Sequence, residues 1–67
     1  MGEELHEMLN EQKKAVLALI NGGGKNGLII AKGALQLLLP LWSGYGYRSN
    51  YDSLMNMVFE REASNND

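Results

Sequence analysis

Leu28-Ile29-Ile30-Ala31-Lys32-Gly33-Ala34-Leu35-Gln36-Leu37-Leu38-Leu39-Pro40-Leu41-Trp42 is the stretch on which the fold turns. Its apolar residues do not alternate and the run is longer than an ordinary strand, so it reads as a helix. Polar character is confined to Lys32 and Gln36, one turn apart, with Gly33 beside them. A helix that is apolar round nearly its whole circumference must be buried nearly all round. The stretch is shorter than the roughly 20 residues that cross a hydrocarbon core, and it contains Lys32, Gln36 and Pro40. The expectation is therefore a buried core helix and no membrane span. Pro40 lacks a backbone donor and clashes with the Gln36 carbonyl, which should end or kink the helix within a turn and leave Trp42 at its edge.

On the N-terminal side, Leu5, Met8, Leu9, Val16, Leu19 and Ile20 recur at helical spacing, with Gln12 where another apolar residue would continue the stripe. Glu3 and Glu4 come first, Lys13 and Lys14 later, and Asn21-Gly22-Gly23-Gly24 supplies a stop, in agreement with helix dipole and C-cap rules. On the C-terminal side, Ser49 or Asn50 is the expected N-cap of a third helix, since Ser49-Asn50-Tyr51-Asp52 has capping-box spacing. Tyr51, Leu54, Met55 and Val58 would face inward, and Asn65, Asn66 and Asp67 would form a tail. The predicted fold is an all-α single domain with helices over about 3–21, 28–42 and 50–63, a tail at 64–67, and glycine-rich loops between the helices.

The chain has 67 residues and no cysteine. Below about 70 residues one core rarely supplies more than a few kcal/mol, and such chains usually need a staple. Disulfides and thiolate zinc sites are excluded, and a lone histidine cannot build a closed metal site without carboxylates, so no metal and no other cofactor is expected. Self-association is the remaining staple. Two neighbouring helices cover only part of an all-round apolar helix, so a second copy is expected against it, in a dimer or a higher closed oligomer. Leu35, Leu38, Leu39 and Trp42 are assigned to that interface.

Charge is segregated. Glu3, Glu4, Glu7 and Glu11 give the first twelve residues −4; Lys13, Lys14, Lys25, Lys32 and Arg48 give the middle +5; Asp52, Glu60, Arg61, Glu62 and Asp67 give the end −3. A positive centre can draw an anionic ligand, whereas the overall charge of −2 argues against DNA binding by counterion release. The acidic N-terminus lacks the basic start and apolar core of a secretory signal, and a cytoplasmic location is expected.

The joint Gly22-Gly23-Gly24-Lys25-Asn26-Gly27 offers glycines that let amides converge, a lysine, and the N-terminus of the next helix, a setting that favours an anion. Gly23, Gly24, Lys25 and Asn26 are its candidate ligand residues. The spacing is not that of a P-loop, and the bland alternative is a turn between antiparallel helices. The second joint, Ser43-Gly44-Tyr45-Gly46-Tyr47-Arg48-Ser49, offers aromatic faces for stacking at Tyr45 and Tyr47 and a guanidinium fork at Arg48. Here the alternative is that the tyrosines pack on helix ends. The two joints lie at opposite ends of the middle helix, about 20 Å apart, so one ligand could touch both only across antiparallel copies.

Catalysis finds little support. His6 lies among Glu3, Glu7 and Asn10, and no serine has a base near it in sequence. A helix-turn-helix would need Leu35-Gln36-Leu37-Leu38-Leu39 as its recognition helix, which cannot read base edges. Gly22-Gly23 with Ile20 and Leu17 resembles the double-glycine leaders of exported bacteriocins, but Gln12 departs from that pattern and residues 24–67 carry no net charge where such peptides are cationic. Two expectations follow. The first is a non-enzymatic oligomer that sequesters a phosphate-bearing ligand, such as a mono- or cyclic nucleotide, between subunits. The second is a protein-interaction module, an inhibitor or adaptor that offers an apolar helix face.

Overall fold

Glutamates at positions 3 and 4 suit the positive end of a helix dipole, and helix α1 (Gly2–Gly22) begins there. The computed structural model describes residues 2–64, and these form three helices with no strand: α1, α2 (Gly24–Gly44) and α3 (Arg48–Ser64). Leu9, Val16 and Ile20 bury the inner stripe of α1. Gln12, the polar break in that stripe, has a partner: its Oε1 accepts a hydrogen bond of 2.9 Å from Trp42 Nε1. Trp42 is accordingly not at the edge of the fold. It is fully buried, and an indole N–H taken out of water needs such an acceptor.

Helix α2 is longer than expected at both ends. Gly23 alone separates it from α1, so the anticipated loop of glycines, Lys25 and Asn26 is replaced by a sharp corner. Gly23 N donates to Leu19 O at 3.1 Å and Gly27 N donates to Gly23 O at 2.9 Å, which carries helical bonding through the reversal. A Cβ on Gly23 or Gly27 would collide with the Leu19 carbonyl oxygen. These glycines let the last turn of α1 lie directly on the first turn of α2, and Gly24, at φ +64°, turns the chain.

Pro40 does not stop α2, which runs one further turn to Gly44. The carbonyl that a proline leaves unpaired belongs to Gln36, and both residues lie on the exposed side. The helix ends instead in a Schellman motif: Tyr47 N donates to Trp42 O at 2.7 Å and Gly46 N to Ser43 O at 3.4 Å, with Gly46 at φ +73°. The hydrophobic contact that accompanies this motif is Tyr47 against Trp42, edge-on with ring centroids 5.2 Å apart.

The same cap sets the start of α3 at Arg48, so Ser49 and Asn50 lie in its first turn rather than before it. Leu54, Met55 and Val58 are buried and Tyr51 is half-buried, as their spacing predicted. Ser64 belongs to α3, and the remainder of the expected tail, 65–67, lies outside the described residues. Two contacts set the register of α3: Lys32 Nζ to Glu62 Oε2 at 3.0 Å, and Arg61 Nη2 donating to Asn21 Oδ1 at 2.9 Å. Lys32 also lies over the Phe59 ring at 5.4 Å, so it faces α3, not solvent as the polar stripe suggested. The bundle measures 46 × 18 × 15 Å, with Trp42, Leu35, Leu54 and Val58 as its largest fully buried side chains.

Candidate functional site

The core face of α2 is Leu28, Ala31, Leu35 and Trp42, at steps of three, four and seven residues. The opposite face, Asn26, Ile29, Ile30, Gly33, Leu37 and Pro40, points away from both neighbouring helices. Ile29 is 66% exposed, Ile30 55% and Leu37 83%. With Gly44 at its far end the stripe extends 18 residues from Asn26, or about 27 Å at 1.5 Å per residue. Isolated exposed apolar residues are unremarkable on a protein surface, but three large ones on one helix face form a patch. The chain exposes 4575 Å² in all. A folded monomer of this mass is expected to expose about 4,200 Å².

This geometry corrects the expected interface. Leu35 and Trp42 are fully buried by α1 and α3 within one copy of the chain and reach no partner. Leu38 and Leu39 are half-buried on the flanks. The exposed positions are Ile29, Ile30 and Leu37, which a sequence apolar on all sides did not single out. The signal that could have found them is Gly33. Nothing lies within 4 Å of a Cβ built there, so a glycine in the middle of a helix has no packing reason inside this fold.

Helix α2 is also longer than the apolar stretch had suggested: its 21 residues are long and apolar enough, by length and composition, to cross a membrane. Of its most apolar window, 28% is buried against the rest of the chain.

The candidate ligand residues fall at two separate ends. Lys25 and Asn26 are exposed in the first turn of α2, beside Gly23 and Gly24 at the corner. Tyr45 and Arg48 are exposed at the other end, while Tyr47 is half-buried on Trp42 as part of the helix cap. Twenty residues of helix between Lys25 and Tyr45 place the two ends about 30 Å apart, farther than the shorter helix implied. The fold therefore does not bring them together within one copy. The amides of Gly23 and Gly27 are taken up by the corner, which leaves those of Gly24, Lys25 and Asn26 at the helix start. Of the middle segment's cations, Lys32 is held by Glu62, and Lys14 lies 3.7 Å from Glu11 on the surface of α1. Lys25 and Arg48 make no ion pair among the described residues.

His6 lies with Gly2, Glu3 and Glu7 around an open, shallow depression on α1. Among the described residues no three His or acidic side chains are grouped to hold a metal. The side-chain hydrogen bonds found among them tie helix to helix, and none joins a serine to His6. No family model, curated protein or solved structure matches the chain.

Proposed function

We propose that this chain is a small non-enzymatic binding module whose working surface is the outward face of α2, where it docks against protein. The observation that carries this reading is the exposure of Ile29, Ile30 and Leu37 around an open Gly33 on one face of a helix whose other face is tightly packed. Apolar helix faces of this kind recognise partners by helix-in-groove or helix-on-helix packing. A photo-reactive amino acid in place of Leu37, introduced in living cells, is expected to yield covalent protein adducts that the same group in place of Asn10, on the exposed side of α1, does not. Equal labelling from the two positions would refute the reading.

A second reading is favoured by the two cations at helix starts that make no ion pair among the described residues, Lys25 in α2 and Arg48 in α3. It is the sequestration of a phosphate-bearing ligand such as a mono- or cyclic nucleotide. Because these ends lie about 30 Å apart in one copy, such a site needs Lys25 of one copy beside Tyr45 and Arg48 of another. Native mass spectrometry of protein purified without refolding should then show an oligomer with added mass that Lys25→Ala and Arg48→Ala both abolish. A ligand-free wild-type oligomer would count against it.

A further inference from the structure

We propose that the outward face of α2 is occupied by a second copy of this chain, packed antiparallel across a two-fold axis at Gly33. This inference rests on the reading of that face as a docking surface and names what covers it.

The first argument is register. In an antiparallel pair centred on Gly33, Ile29 of one copy faces Leu37 of the other, each four residues from the axis, and Asn26 faces Pro40. Large side chains thus flank a centre that has none, and the same patch serves both copies, as a two-fold contact requires. The open position at Gly33 admits the other helix backbone, and close approach of this kind is what small residues at a helix crossing allow.

The second argument is charge. The first turn of α2 carries Lys25 and no acid, and its last turn carries no base. Antiparallel packing sets Lys25 of one α2 toward the negative, C-terminal end of the other. Parallel packing would set two Lys25 ammonium groups side by side. A stripe about 27 Å long and about one helix diameter wide covers about 600 Å² over two copies, less than a standard interface, so the contact depends on register and charge rather than on extent. The same register leaves Lys25 roughly 6 Å along the axis from Tyr45 of the other copy, the juxtaposition that an anion site between copies requires.

The chain lacks cysteine, so an introduced one reports a single position. Under a mild added oxidant, Gly33→Cys should form a disulfide-linked dimer. A mixture of Ile29→Cys and Leu37→Cys chains should form the mixed disulfide about tenfold faster than either pairs with itself, because only the mixed pair comes within bridging distance. Sedimentation velocity at micromolar concentration should give twice the 7.4 kDa chain mass for wild type and the single mass for Leu37→Asp, with unchanged helical circular dichroism. A wild-type monomer, or self-pairing at position 29 as fast as mixed pairing, overturns the proposal. So does a monomer that floats with phosphatidylglycerol vesicles. A monomer that still gives Leu37-dependent protein adducts in cells overturns the second copy as occupant while the docking reading stands; a monomer without such adducts overturns both.

Discussion

The two faces of α2 have nearly the same composition and opposite surroundings. Inward, Leu28, Ala31, Leu35 and Trp42 are buried and the glycine among them, Gly27, sits against the Leu19 carbonyl. Outward, Ile29, Ile30 and Leu37 are exposed and the glycine among them, Gly33, meets nothing. The difference teaches that hydrophobicity alone does not orient a helix. Its neighbours do, through the few positions where a shape or a hydrogen bond admits one orientation only.

Trp42→Ala attacks the inner face at its largest side chain and should cost about 3–5 kcal/mol, enough to unfold a domain this small. Leu37→Ala, an equally apolar truncation on the outer face, should change protomer stability by less than about 0.5 kcal/mol. Urea denaturation of both variants, followed by circular dichroism, checks the contrast, and equal losses would mean that the two faces are not distinct. Gln12→Leu sharpens it further. The variant is more apolar but leaves the Trp42 N–H buried without an acceptor, and a loss of about 1–3 kcal/mol is expected in the same assay.

The two glycines should respond with opposite signs. Gly27→Ala forces a Cβ onto the Leu19 carbonyl and should destabilise by about 1–3 kcal/mol. Gly33→Ala has open space and a better helix former, so thermal unfolding of dilute protein should show a gain of about 0.5–1 kcal/mol. A similarly small effect is expected where α3 meets α2. Lys32 and Glu62 are each about one-third exposed, and Glu62→Gln should cost less than about 1 kcal/mol, a difference that added salt removes.

Much of this fold was legible in the sequence. The number of helices, their order, and the inner residues of α1 and α3, with the exception of the exposed Met8, follow from periodicity, because those helices carry polar residues that mark their outer sides. Helix α2 has too few such markers, and Lys32, which reads as one of them, faces Glu62. The phase of α2 was therefore lost, and with it the true exposed positions. The joints are ambiguous in the sequence for a related reason. Glycine is compatible with a loose loop and with a tight corner, and only the approach of Leu19 decides between them. Among the candidate ligand residues, Tyr47 is legible as an aromatic at a helix end, but its partnership with Trp42 through the Schellman motif is set by the fold.

The sequence by itself determined that this chain is helical, that it breaks at two glycine-rich points, and that its middle helix is apolar beyond the needs of one side. Those properties are local: backbone propensity, capping and the spacing of apolar residues act over a few positions. Only the tertiary structure decided which side of α2 is covered, that Trp42 belongs inside, and that Gly33 stands open at the centre of the uncovered face. These depend on contacts between residues thirty positions apart, such as Gln12 with Trp42 and Lys32 with Glu62, and no local rule encodes the direction from which such a partner arrives.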